Sequence, residues 1–182
     1  MGIELEQLDQ AAVAVMGRIV AYLQDERGVH IETAIAIAGS LAGVSLLRDT
    51  GLPFPHSEPG EVQSFFAEEV DERGTALVGF MSSACPLLGL DVAFESAEIP
   101  PEHQPRENMI EGVLQWVRDL ETPCNQVLGE AKIEDSLRSH VYAFTALRLV
   151  KVGEQILSPA VGKALAVSAI VAGSKTAPYR TP

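Results

Sequence analysis

The segment from Thr33 to Leu47 contains no charged side chain, and this restricts the environment in which it can fold. As a helix it would extend roughly 22 Å at about 1.5 Å per residue, whereas the apolar core of a bilayer is about 30 Å thick. Bulky apolar side chains project from several of its faces, so such a helix must be enclosed by apolar neighbours. We predict a central core helix; the alternative, a membrane segment, is disfavoured by its length and by the acidic residues around it.

Small residues form a strip along one face of this predicted helix. Ala36, Gly39, Ser40 and Gly43 recur at helical spacing, and such a strip allows two helix backbones to approach closely. Upstream, apolar residues spaced by three and four predict an amphipathic helix over residues 4–25, with Gly28 marking the turn. We therefore expect these two helices to form an antiparallel hairpin with the strip between them.

The remaining chain shows further helical patterns separated by loops rich in proline. Helices are predicted over residues 75–88, from Asn108 to Thr122-Pro123, from Glu134 to Lys151, and after Ser158-Pro159. Asn108 and Glu111 have the spacing of a capping pair. Residues 62–66 are either a short β-strand or hairpin, or one face of a helix. The fold class is therefore a mainly α, single-domain bundle of five or six helices over residues 1–173, with a mobile basic tail over residues 174–182.

Composition excludes several classes of function. The chain has 182 residues, enough for one domain, and a formal net charge of −12, which repels nucleic acid and anionic membranes. Cys85 and Cys124 are its two cysteines, too few and too far apart for a disulfide framework or a zinc knuckle. The acidic start of the chain does not resemble a secretory signal. We expect a cytoplasmic protein.

Three blocks of the sequence resemble a family of uncharacterised proteobacterial proteins. They read ETAIAIAGSLAGVSLL, IPPEHQPRENMIEGVLQWV and LSPAVGKALAVSAIVAGSKTAP. Members of that family carry a segment similar to YFFGDALN where this chain has SFFAEEVDE, which supports a strand followed by a helix there. The resemblance implies a bacterial cytoplasmic protein and implies no activity.

Three polar residues next to predicted buried faces are candidates for binding a small molecule: His30, His140 and Arg148. His30 stands before the uncharged helix, and His140 lies beside a predicted apolar stripe with Arg148 further along. Histidine titrates near neutral pH, which suits it to binding or acid–base chemistry. The competing interpretation gives each of them an ordinary structural role, such as a helix cap or a hydrogen-bonded core residue.

The sequence contains no motif that defines a catalytic or metal site. His30 and Glu32 point to different faces of a helix, and Pro105 separates His103 from Glu107 and Glu111, so we predict no metal site. Cys85 lacks a signature for nucleophilic catalysis and is predicted to be a small buried residue. We predict no catalytic residues and no cofactor.

Two functional hypotheses follow. The first is a non-catalytic cytoplasmic protein that self-associates, with a dimer favoured, because helical bundles often bury apolar and small-residue faces between subunits. The second is a protein, or an enzyme, that binds a small molecule in an apolar pocket between helices.

Overall fold

The computed structural model describes residues 4–53, 63–92 and 97–178, and over these residues the protein is a bundle of α-helices. Short 3₁₀ turns at Cys85–Leu88, Pro101–His103 and Asp135–Leu137 connect or extend the helices. The described α-helices are α1 (Leu5–Leu23), α2 (Ile31–Asp49), α3 (Glu68–Ala84), α4 (Met109–Glu130), α5 (Arg138–Val152) and α6 (Pro159–Lys175). The predicted mainly α bundle of five or six helices is confirmed.

Helix α2 lies at the centre of the bundle and is buried on all sides. Nearly every residue from Ile31 to Leu47 is buried, as expected for a helix that is apolar all round. By length and composition alone α2 could cross a membrane, but 89% of its most apolar stretch is buried inside the bundle. The prediction of a core helix is confirmed.

The small-residue strip of α2 packs against α6, not against α1 as the predicted hairpin required. A Cβ atom added to Gly39 would lie 2.7 Å from the backbone oxygen of Ala166, and one added to Gly43 would lie 2.6 Å from the backbone nitrogen of Ser174. The contact residue on α6 advances from Ala166 towards Ser174 as the residue on α2 advances from Gly39 to Gly43. Residue numbers increase together along both helices, so the two helices run parallel. The predicted partner of the strip was wrong because α6 carries a matching glycine, Gly173, whose added Cβ would approach the backbone of Ser40.

Helix α4 continues past the proline at which it was predicted to end. It runs from Met109 to Glu130 with Pro123 in its interior, and Asn108 caps it by accepting a hydrogen bond from the Ile110 N–H at 3.0 Å. Proline inside a helix costs about 3 kcal/mol. Beyond it, Cys124, Val127 and Leu128 extend the buried face, and each fully buried aliphatic side chain contributes about 1.5–3 kcal/mol. The continued apolar face therefore outweighs the proline.

The segment before α3 and the end of α6 also differ from expectation. Helix α3 begins at Glu68, earlier than the predicted residue 75. The described residues 63–66 contain no β-strand but form an isolated bridge between Ser64 and Thr176, in which the Phe65 N–H donates to the Lys175 carbonyl at 2.8 Å; residue 62 lies outside the described residues. Residues 174–178, predicted to belong to a mobile tail, are packed, and Ala177 is fully buried. This pairing with the 63–66 segment holds them in place; residues 179–182 lie outside the described residues.

Glycine at the α2–α6 contact should be indispensable for stability. In Gly43→Ala the new methyl group would meet backbone atoms of Ile170 and Ser174, which cannot move independently of α6. Overpacking of a core costs about 1–3 kcal/mol, and we expect the upper end of that range in the free energy of unfolding measured in urea. Gly17→Ala is the matched control, because nothing lies within 4 Å of its added Cβ, and it should be neutral or slightly stabilising. Equal effects of the two substitutions would contradict this packing.

The hydroxyl of Ser40 provides a second test of the same interface. Its oxygen is buried and has no hydrogen-bond partner among the described residues, and such a group costs about 1–3 kcal/mol. We expect Ser40→Ala to raise the free energy of unfolding by about 1 kcal/mol. Thr145 is the control, because its buried hydroxyl donates to the Val141 carbonyl at 2.8 Å, and Thr145→Val should lower stability by about 1 kcal/mol. A loss of stability in Ser40→Ala would show that the hydroxyl is satisfied.

Candidate functional site

The three residues predicted to bind a ligand lie in three different places. His30 caps the N-terminus of α2, His140 lies near the start of α5, and Arg148 forms an ion pair with Asp9 of α1. His140 and Arg148 are separated by two turns of α5, about 12 Å along its axis. The structure therefore brings none of these three residues together, and each has a different set of partners.

His30 belongs to a polar cluster that the sequence did not reveal. The carboxylate of Glu32 is buried, and its two oxygens face two histidines: Oε1 lies 2.9 Å from Nδ1 of His103, and Oε2 lies 3.5 Å from Nε2 of His30. His103 is distant in sequence, in the 3₁₀ turn Pro101–His103. The two histidines thus meet at a single buried carboxylate.

Thr33 forms several hydrogen bonds in this cluster. The Thr33 N–H donates to Nδ1 of His30 at 3.3 Å, and the Thr33 hydroxyl lies 2.9 Å from the same nitrogen. The Thr33 hydroxyl accepts a hydrogen bond from the Arg106 N–H at 3.0 Å. These bonds fasten the segment from Pro101 to Arg106 onto the N-terminus of α2.

This cluster is a hydrogen-bonded structural junction. Within the described residues, no group of three or more His, Cys, Asp or Glu side chains has a geometry that could hold a metal ion. His103 contacts Glu32 and does not align with Glu107 and Glu111, because α4 begins only at Met109. The prediction that Pro105 keeps His103 out of that helix is confirmed.

A polar cavity of about 300 Å³ opens at the other end of α2. Three ion pairs surround it: Arg48 binds both carboxylate oxygens of Glu121, Arg138 binds Asp135 at 2.6 Å, and Asp49 binds Arg73 at 2.8 Å. These pairs leave the cavity wall close to neutral. The cavity is lined by Ser45, Arg48, Asp49, Gly51, Glu121, Asn125, Asp135 and Arg138.

Arg138 lines this cavity, and one of its donors is unsatisfied. Its Nε atom is buried and has no hydrogen-bond partner in the part of the chain that the structure describes. A buried N–H of a guanidinium without an acceptor is costly, and such groups in native proteins call for an explanation. Nearby, Oδ1 of Asn125 accepts a hydrogen bond from the Tyr142 hydroxyl at 2.8 Å, and burial raises the pKa of Tyr142, so this hydroxyl stays protonated. Among the side chains named here, Arg138 thus keeps one donor, its Nε–H, without an acceptor among the described residues.

A second cavity, of about 270 Å³, shares Asp49 with the first and contains the predicted residue His140. The ring of His140 meets the ring of Phe80 edge to face, with 5.0 Å between the centroids. Burial lowers the pKa of His140, and the nearby carboxylate of Asp49 opposes this effect. His140 is therefore neutral at pH 7. The second cavity is lined by Leu46, Asp49, Arg73, Ala76, Leu77, Ser136, Ser139 and His140.

A third cavity is an apolar groove of about 590 Å³ between α3 and α6. Val70, Val78, Ile170 and Val171 are its aliphatic lining residues, and Asp71 and Lys175, which form an ion pair, also line it. This groove contains none of the residues that the sequence singled out as candidates.

The two cysteines are not poised for reaction. Both are buried, and burial raises the pKa of the Cys85 thiol and raises that of Cys124 to about 12. A thiol is nucleophilic only as its thiolate, so neither is activated. The prediction that Cys85 is a small buried residue is confirmed.

No protein-family model matches the chain, and no curated protein and no solved structure matches it. The resemblance to a proteobacterial family therefore stays a prediction. The function must be inferred from the geometry of the cavities.

The lowered pKa of His140 predicts a loss of stability in acid. Between the folded pKa and the ordinary value of 6.5, the unfolded chain binds more protons at this residue, so the free energy of unfolding falls as the pH falls below about 6.5. We expect His140→Gln to lose less stability than the wild type between about pH 7.5 and pH 5.5 in urea denaturation. The carboxylates contribute to both proteins, so the difference isolates His140. Identical pH profiles would contradict the desolvation of this histidine.

Proposed function

We propose that this protein binds a small polar molecule in the cavity at the C-terminal end of α2, through a carbonyl or carboxylate oxygen that accepts a hydrogen bond from Arg138. The observation that carries the proposal is the guanidinium of Arg138: this residue lines the cavity, and its buried Nε–H has no acceptor among the described residues. The guanidinium carries five N–H donors, more than its ion pair with Asp135 uses, so it can also bind a ligand oxygen. Arginine is well suited to this task because it remains charged and its donors are held in a rigid plane.

The charges of the wall limit the class of ligand. Arg48 binds both carboxylate oxygens of Glu121, whereas Arg138 keeps one N–H without an acceptor among the described residues. Its ion pair with Asp135 is largely open to solvent, since the Asp135 side chain is 83% exposed, and such pairs contribute little. A ligand oxygen can therefore bind Arg138 alongside Asp135, or replace Asp135, at a small cost in free energy. Because the three ion pairs leave the cavity wall close to neutral, a small polar molecule is favoured over a polyanion as the ligand.

The size of the site supports a molecule on the scale of a metabolite. Ligand cavities begin at about 300 Å³, and this cavity is at that lower limit. Asp49 also lines the neighbouring cavity, where neutral His140 offers a further hydrogen-bonding group. This proposal keeps the sequence-based alternative of a small-molecule-binding bundle, but it moves the pocket from an apolar to a polar part of the molecule.

Self-association and cytoplasmic location stay predictions. The small-residue strip that motivated self-association is used inside the subunit, where Gly39 and Gly43 contact α6. The strip therefore no longer supports an interface between subunits. Binding at the Arg138 cavity has the more specific support.

Thermal denaturation with a panel of amino acids, 2-oxo acids and short dicarboxylic acids tests the proposal. A ligand at about 100 times its Kd should raise the Tm by about 5–10 °C. Arg138→Gln should abolish this rise. Arg118→Gln is the matched control, because Arg118 pairs with Asp119 on an exposed surface and lines none of the three cavities described here. An equal rise in Arg138→Gln, or no rise with any member of the panel, would contradict the proposal.

A further inference from the structure

The groove between α3 and α6 has an apolar floor and is open to solvent. It extends along α3 from Val70 to Gly79, about 14 Å at 1.5 Å per residue. Gly74 and Gly79 line it, and nothing lies within 4 Å of a Cβ added to either residue. On the α6 side Val171 is 50% exposed although it lines the groove. An apolar surface two to three helical turns long is thus left uncovered by the described part of the chain.

The first turns of α3, where the groove begins, are acidic. The first turns of α3 carry the carboxylates Glu68, Glu69, Asp71 and Glu72. Arg73 pairs with Glu69, and Lys175 pairs with Asp71. Glu68 and Glu72 form no ion pair with any other described residue, and both are exposed. The first turns of α3, from which the groove extends, therefore carry a net negative charge.

We propose that this groove binds a basic amphipathic helix of another protein. The apolar side of such a helix would cover Val78 and Val171, and its cations would face Glu68 and Glu72. Docking of an amphipathic helix into an apolar groove is a common mode of recognition, and complementary charges at the rim direct the approach of the partner. The absence of side chains at Gly74 and Gly79 would allow the partner backbone to come close to α3.

Charge argues against the other occupants of the groove. A second copy of the chain would bring two acidic α3 turns together, and each copy has a formal net charge of −12. An anionic amphiphile would meet the same carboxylates. A cationic partner is the occupant for which the apolar floor and the acidic first turns of α3 are both favourable.

Fluorescence anisotropy with a labelled peptide tests this proposal. The probe is a synthetic helical peptide of about 14 residues, long enough to cover the groove, with leucines on one face and lysines on the other. We expect Gly79→Leu, which fills the groove without changing the charge, to weaken binding at least tenfold. Gly17→Leu is the matched control, because Gly17 lies on an exposed part of α1 with open space around it, and it should bind as the wild type does. Glu68→Gln with Glu72→Gln should weaken binding and reduce its dependence on salt.

These outcomes distinguish binding in the groove from non-specific electrostatic attraction of a basic peptide to an acidic protein. Equal affinity for the wild type and for Gly79→Leu, or no binding to the wild type, would overturn the proposal. Val171→Asp provides a second variant if Gly79→Leu does not fold, and it should also weaken binding because it places a charge on the apolar floor. Sedimentation of the wild type at the same concentrations tests the second copy: a dimer that Gly79→Leu dissociates would overturn the proposal in favour of self-association.

Discussion

The close parallel contact between α2 and α6 is the constraint on which the rest of the bundle depends. At Gly39, Gly43 and Gly173 the backbones approach so closely that no Cβ atom fits between them. Because this contact covers one side of α2, helices α1, α4 and α5 need only enclose its other sides. An apolar helix buried all round supplies a large hydrophobic contribution, and the small-residue strip is what allows it to be packed without cavities.

An uncharged central helix confines polar chemistry to its two ends. At the N-terminus, His30 and the buried carboxylate of Glu32 join α2 to the segment that carries His103. At the C-terminus, Arg48 and Asp49 reach the wall of the polar cavities, where α4 and α5 supply Glu121 and Arg138. The first end is satisfied by its own hydrogen bonds. The second keeps an unused donor, which is why the proposed ligand site lies there.

Features that depend on residues close together in the sequence were predicted correctly, whereas features that depend on residues far apart in the sequence were not. The burial of α2, the cap at Asn108 and the cap at Ser158, which accepts from the Val161 N–H at 3.3 Å, follow from local composition and spacing. The partner of the glycine strip could not be predicted, because Gly173 lies far along the chain. The end of α4 was misplaced because Pro123 is a strong local signal that tertiary burial overrides.

The candidate site was predictable only in part, for the same reason. His140 was singled out and does line a cavity, but Arg138 was not, since nothing in its own neighbourhood in the sequence shows that its Nε atom is buried without a partner. His103 was considered only with Glu107 and Glu111, whereas its partner is Glu32, 71 residues away. Such pairs are created by the fold.

The most direct test of this account is a nuclear Overhauser measurement on protein with labelled glycine and alanine, because it reports the register of α2 against α6. A parallel contact predicts cross-peaks between Gly39 and the methyl group of Ala169, and between Gly43 and Gly173. Cross-peaks between Gly43 and the methyl group of Ala166 would instead indicate an antiparallel arrangement. That result, or the absence of any contact between these glycines and α6, would contradict the central packing and the location of the sites built upon it.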